Sequence, residues 1–529
     1  MPCSYNYASS LFGYFIFLTL VWASQLCNGF GTFGFDIHHR YSDQVRGILD
    51  LFDLPEKGSL EYYTAMARRD RLIRGRGLAD IVDSTPLTFV DGNDTFKSLG
   101  YLYYANISVG TPSLWFLVAL DTGSNLLWLP CDCRSCVHGL ETGSGQEIDF
   151  NIYSPNTSST SIQVPCNSTL CHQQRQCSAT RNICPYQIQY LSSNTSSTGT
   201  LVKDVLHLTT DDNQLKVVDA QITFGCGMIQ TGSFLDGAAF NGLFGLGMDN
   251  ISVPSILASK GLAANSFSMC FGGPDGRISF GDRGSSDQGK TPLNLNQLHP
   301  TYNISMTQIL VGESVINLNF SAIFDSGTSF TYLNDPAYTA ISESFNSQAQ
   351  QKRLSSDSRI PFEYCYELST NQTTFETPMV NLTMEGGNQF YVTEPIVPIH
   401  LQSSSQSASV YCLGVVKSGD INIIGQNFMT GYRIVFDRER MVLGWKASDC
   451  YDAKDSNTLP IDRQNSTAVP PTATVEPKAT SGSGNGSPIS TPYSMPPSPG
   501  NNSSRLNSFI VSLFSALSLF IHCFTILLS

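Results

Sequence analysis

Between residues 101 and 450 the chain is mostly short apolar or alternating runs, each closed by Gly, Pro, Asn or Ser. Residues 101–109, 219–224 and 277–280 are of this kind, and 114–120 and 322–324 are denser apolar stretches. Such runs, broken by turn residues at short intervals, predict β-strands. Helix signals are few. Asp335-Pro336 ahead of 337–350 supplies a cap and a first-position proline, followed by Ile341 and Phe345 four residues apart. Residues 252–260, closed by Gly261, are a second candidate. The pattern predicts a mainly β fold whose lobes, 98–284 and 285–452, join in the polar, turn-rich stretch 284–302.

Two of the apolar runs end in the same small acidic loop, Asp121-Thr122-Gly123-Ser124 and Asp325-Ser326-Gly327-Thr328. A strand that ends in Asp, turns on Gly and carries hydroxyls on both sides presents one carboxylate at a fixed angle. One copy alone reads as a turn that begins with Asp. Two copies in matching contexts point to two related lobes, each donating a carboxylate to a shared site. Carboxyl groups held that close cannot both ionise, because like charges in a partly desolvated site repel. The ionised member can then draw a proton from a water, while the protonated member hydrogen-bonds a substrate carbonyl. That is peptide hydrolysis at acid pH with no metal, cofactor or covalent intermediate. The proton belongs to the pair.

With these loops, the chain resembles the pepsin-like aspartic proteases from about Tyr101 to Cys450. Within them it is similar to the nepenthesin-type plant group, and to plant aspartyl protease family proteins that carry a lipid-anchor signal. Leu243-Phe244-Gly245 and Ile423-Ile424-Gly425 match the second segment that closes each active-site loop in that family, and Gly431 to Asp437 resembles its C-terminal strands. The resemblance implies a bilobal fold with a cleft between the lobes, polypeptide substrates and a monomer. It makes Asp121 and Asp325 the catalytic dyad. Thr122 and Ser326 would link the two loops, and Ser124 and Thr328 would hydrogen-bond the outer carboxylate oxygens. Tyr190 and Trp128 occupy the positions of the flap tyrosine and its hydrogen-bonding tryptophan. The flap departs from the family at its tip, where residues 191–197 replace a Gly-rich turn and carry a sequon at Asn194.

Composition fits a secreted enzyme. Charged residues are 14%, below the usual quarter, and the net charge is −13. The 30 Lys and Arg are spread along the chain, which gives no basic patch for nucleic acid. Residues 11–22 are a short apolar run followed by small residues, which predicts a signal peptide at 1–23. Segment 24–97 contains the basic stretch from Arg68 to Arg76. Beside an acidic cleft, and with the family resemblance, this predicts a removable prosegment. Sequons at Asn106, Asn156, Asn250, Asn303 and Asn381 fit a glycoprotein.

Of 15 cysteines, Cys3, Cys27 and Cys523 lie in the terminal segments, and the other twelve fall between Cys131 and Cys450. An even number behind a signal peptide predicts a disulfide framework. The resemblance implies Cys166–Cys184, Cys171–Cys177, Cys270–Cys450 and Cys365–Cys412. It leaves the partners among Cys131, Cys133, Cys136 and Cys226 open. Cys131, Cys133, Cys136 and His138 are also clustered zinc-ligand types. An oxidising compartment and the need of Cys226 for a partner favour disulfides and no metal.

After Cys450 the composition changes. Residues 453–505 are rich in Ser, Thr, Pro, Gly and Asn and predict a flexible stalk. Small residues at Asn501-Asn502-Ser503-Ser504, a short polar spacer and the apolar run 509–528 then predict a glycosylphosphatidylinositol signal in 506–529, attached at Asn502 or Ser503. This places the protein on the outer leaflet of the plasma membrane. The rival is a spanning helix, since 509–528 is about long enough to cross a bilayer. A non-catalytic inhibitor of this fold, or a surface-recognition protein, is the alternative to an enzyme. Such relatives typically lose part of the dyad or flap, and here both aspartates are present.

Overall fold

The structure, a computed structural model, describes residues 32–40, 42–49, 58–74 and, with short gaps, 103–450, all within one compact unit spanning Met1–Pro477. The predicted signal peptide, stalk and anchor signal, with Asn502 and Ser503, lie outside the described residues. So do the flap tip 191–194 and the side chains of Arg68, Arg69, Arg71 and Arg74.

The fold is mainly β. One large sheet runs through both lobes. Its C-terminal contribution, Gly289–Pro292, Val442–Ala447 and Tyr432–Asp437, continues into Ser266–Phe271 and Asp275–Phe280 of the N-terminal lobe. Next come Phe33–His39, Tyr103–Val109 and Leu114–Asp121. A seven-stranded sheet, including Asn303–Val311 and Ser314–Phe324, forms much of the C-terminal lobe. Single-faced strands show the period of two, as where Gly276, Ile278 and Phe280 are buried in turn. Leu114–Asp121 instead buries its last six residues in a row, because both of its faces are covered. Between the lobes Phe267 stacks on Phe436 at 4.7 Å, with Tyr302 edge-on to Phe436 at 4.5 Å.

Two helices fall near their predicted places, Val253–Ser259 and Ala337–Gln348. The second begins one residue later than expected. Pro336 is its N-cap, and Asp335 instead accepts the Thr339 hydroxyl at 2.5 Å. Its last turn is held by Gln348, whose amide donates to Val311 O at 2.8 Å and Ser344 O at 3.0 Å.

The disulfides correct two expected pairings. Cys166 joins Cys177 and Cys171 joins Cys184, in place of Cys166–Cys184 and Cys171–Cys177. Burial explains the exchange. Cys184 is fixed in the sheet by backbone bonds to Val164 and Leu201, and Cys171 is buried with it. The turns of 165–177 bring Cys166 and Cys177 together farther out, with Cα atoms 6.1 Å apart. Cys270 pairs with Cys450 and Cys365 with Cys412. The pairs left open are Cys131–Cys226 and Cys133–Cys136. His138 does lie beside Cys136, but both sulfurs of that cluster are engaged with each other.

Candidate active site

Each aspartate sits where a buried strand runs out beside a second short strand. Leu243–Gly245 runs parallel to the first, with Gly245 opposite Asp121, and Ile423–Ile424 runs parallel to the second, with Ile424 opposite Phe324. Leu246 N–H donates to Asp121 O at 2.8 Å, and Asp325 N–H donates to Ile424 O at 3.1 Å. The glycines that end these segments are required by close approach. A Cβ on Gly245 would lie 2.5 Å from the carbonyl carbon of Asn125, and one on Gly425 would lie 2.1 Å from Phe330 O. The matching sequence segments are thus the backs of the two aspartate loops.

The loops meet. Ser326 N–H donates to Thr122 Oγ1 at 3.2 Å, and the Thr122 and Ser326 hydroxyls are 3.4 Å apart. Within each loop the glycine N–H donates to the aspartate's Oδ1, at 2.9 Å both for Gly123 to Asp121 and for Gly327 to Asp325. The point where Gly327 would carry a Cβ is 3.1 Å from Asp325 Oδ1 and 3.4 Å from Asp121 Oδ1. Both inner oxygens therefore lie beside that glycine. The outer oxygen of Asp325 accepts the Thr328 hydroxyl at 2.6 Å.

Ser124 departs from the expected symmetry. Its hydroxyl is buried and makes no hydrogen bond to Asp121 among the described residues. It lies beside the phenol of Tyr190, which fills this side of the first loop. Tyr190 also accepts the Trp128 indole N–H at 2.9 Å, and Phe234 packs edge-on against both rings, at 4.9 and 5.0 Å. Burial first, and the nearby Asp121 carboxylate second, push the Tyr190 phenol up, so it stays a neutral hydrogen-bonding group.

Two contacts at the site do not follow from the sequence. Phe234 is one. The other is Asp70, from the helix Leu60–Arg74, whose buried carboxylate accepts bonds from Ser329, Phe330 and Tyr332 just beyond the second loop. A helical stripe of Leu60, Tyr63 and Ala67 that continues into an aspartate is a signal for such a contact, because a buried carboxylate requires donors.

Residues 103–282 match the family described as "Xylanase inhibitor N-terminal", and 301–447 match "Xylanase inhibitor C-terminal". The chain is 58% identical to Aspartyl protease family protein 1 of Arabidopsis thaliana over 473 residues, 88% of this chain and 91% of that one. It is 40% identical to Aspartic proteinase-like protein 1 of the same plant over 462 residues, 81% and 85% of the two chains. Among solved structures, basic 7S globulin from soybean superposes with a TM-score of 0.51 at 24% identity, over 67% of this chain and 94% of that one, a likeness of fold. The chain belongs to the pepsin-like aspartic protease family. Its class is that of the aspartic-type endopeptidases.

Proposed function

We propose that this chain is a secreted endopeptidase that works at acid pH, with Asp121 and Asp325 as its catalytic pair. The observation that carries the reading is that both inner carboxylate oxygens converge on Gly327. In that arrangement the two groups share one proton. The ionised member takes a proton from a water held between them, the water adds to the peptide carbonyl, and the protonated member hydrogen-bonds the developing oxyanion. The proton is then returned to the leaving amine. Tyr190, steadied by Trp128 and Phe234, closes over the bound peptide and excludes bulk water.

Segment 24–97 acts as a prosegment in this reading, and the chain reaches the cell surface on a lipid anchor. The family description names xylanase inhibitors, but a complete dyad together with the Tyr190–Trp128 bond favours catalysis over inhibition. The test is cleavage of a peptide library at acid pH by the acid-treated full chain, compared with its Asp121→Asn form. Cleavage that Asp121→Asn abolishes is the expected result. Equal cleavage by both forms would overturn the reading.

A further inference from the structure

The helix Leu60–Arg74 lies on the C-terminal lobe. It buries Tyr62, Tyr63, Met66 and Ala67, and the Tyr63 ring meets that of Phe330 at 6.3 Å. The contact continues at its edges, where Thr64 Oγ1 donates to Arg359 O at 3.1 Å and His400 N–H donates to Gly58 O at 2.9 Å. At the centre is Asp70, 1% exposed. Ser329 N–H is 3.0 Å from each of its carboxylate oxygens, and the Ser329 hydroxyl donates to Oδ1 at 2.8 Å. Phe330 N–H and the Tyr332 hydroxyl each donate to Oδ2 at 3.2 Å.

This donor set has a definite chemistry. Two consecutive backbone N–H groups and two hydroxyls converge on one carboxylate, an arrangement suited to an anion. It also has a definite place. Ser329 follows Thr328, whose hydroxyl holds the catalytic Asp325 carboxylate. The donors therefore directly follow the loop that carries Asp325, and the group that fills them comes from a segment the enzyme is proposed to shed. When Asp70 leaves, the bonds it accepted pass to another acceptor, either water or a bound peptide.

We propose that Ser329, Phe330 and Tyr332 form a carboxylate-binding subsite beside the dyad. In the unprocessed chain Asp70 fills it, imitating an acidic residue of a peptide. In the processed enzyme an Asp or Glu of the substrate takes its place. The segment thus holds the enzyme latent by occupying a substrate position through a specific carboxylate, in addition to covering the loop. The substrate half rests on the endopeptidase reading, whereas the occupancy half does not.

Two measurements separate these halves. Hydrogen exchange on the full chain reads the Ser329 and Phe330 amides directly, with no activity required. Asp70→Asn keeps the shape of the side chain but sets an N–H₂ group against donors. It should lower the protection of those amides, and of the helix, by about tenfold or more, while Tyr432–Asp437 stays protected. Unchanged protection at Ser329 and Phe330 overturns the proposal. If Asp70→Asn fails to fold, Tyr332→Phe, which removes one donor and no charge, should give a smaller loss confined to the same amides, and no loss overturns it. In the processed enzyme, peptides with Asp or Glu at one position should be cleaved about tenfold faster than their Asn or Gln counterparts, and Ser329→Ala should narrow that ratio. Equal rates for acid and amide at every position overturn the substrate half. Absence of cleavage in any form overturns the endopeptidase reading, and with it the substrate half, while the exchange result still decides occupancy.

Discussion

Backbone geometry positions the carboxylates of Asp121 and Asp325 before any distant residue acts on them. The Gly123 and Gly327 N–H groups fix the inner oxygens, and the Thr122–Ser326 contact locks one loop to the other. Asp121→Asn and Asp325→Asn should each lower kcat by about a thousandfold or more, because neither remaining group can both activate water and hold the shared proton. Their thermal midpoints should stay close to that of the parent, and full activity in a cleanly processed single variant would contradict the dyad. Trp128 and Tyr190 act as one unit through their 2.9 Å bond. A cycle of Tyr190→Phe, Trp128→Phe and the double variant should show a coupling of about 1 kcal/mol in kcat/KM, whereas simple additivity would remove the bond from the mechanism. The meeting of the two aspartate loops was legible in the sequence because an Asp-Thr/Ser-Gly turn makes its key bonds within three residues. Ser124 was not, because its surroundings depend on how a flap far along the chain leans over the loop.

The hairpin that leads into Asp121 is braced by a polar network between elements. Asp204, fully buried, accepts the Tyr153 and Thr160 hydroxyls at 2.5 Å and the Val205 N–H at 2.8 Å. Thr111 N–H donates to Ser158 at 2.9 Å, and His207 bridges Asp219 at 2.7 Å and Gly110 O at 2.9 Å. Gly110 turns the hairpin with φ +87°, a conformation that favours glycine. Burial works against the charge on Asp204, but the Ser158, Thr160 and Tyr153 hydroxyls outweigh it and hold the carboxyl below its ordinary 3.8. That contribution to stability is present above about pH 3.8 and is lost as pH falls through the lower folded value. For His207, burial likewise opposes the charge, and Gly110 O and Asp219 outweigh it, raising the imidazole above 6.5. Its contribution is complete below about pH 6.5 and is lost as pH rises through the folded value. The thermal midpoint should therefore be highest between about pH 4 and 6.5. His207→Gln should flatten the fall on the alkaline side and Asp204→Asn the fall on the acid side, and curves parallel to the parent in both variants would exclude this network as the cause. Strands inside this lobe followed from alternation. Phe33–His39 was missed because two glycine-adjacent phenylalanines and a His pair read as part of the prosegment until Asp275–Phe280 and Tyr103–Val109 supply both neighbours.

At the scale of the whole molecule, the lobes are fastened by the shared sheet and by Arg438, whose buried guanidinium donates to Met248 O at 2.9 Å and to Ser252 Oγ at 3.2 Å across the lobe boundary. The same sheet takes in Phe33–His39, so the N-terminal segment is built into the fold at two places, this strand and the Asp70 helix. If that segment is a prosegment, the full chain should be latent near neutral pH and shorten at its N-terminal side in acid, as read by mass spectrometry alongside activity. A full-length chain active at neutral pH without cleavage would contradict latency. Membrane attachment is the last question at this scale, and its test is chemical rather than conformational. Residues 453–505 hold too few apolar side chains to build a core, and they are followed by small residues near Asn502 and Ser503, a polar spacer and the apolar run 509–528. The spacer is shorter than the usual 8 to 12 residues, which still leaves Asn502 and Ser503 as the best-placed attachment points. A lipid anchor replaces the apolar run, whereas a spanning helix keeps it. Phosphatidylinositol-specific phospholipase C should therefore release the protein from plasma membranes, with no peptide from 509–528 in the mature form. Retention on the membrane with that peptide still attached would establish the spanning helix instead.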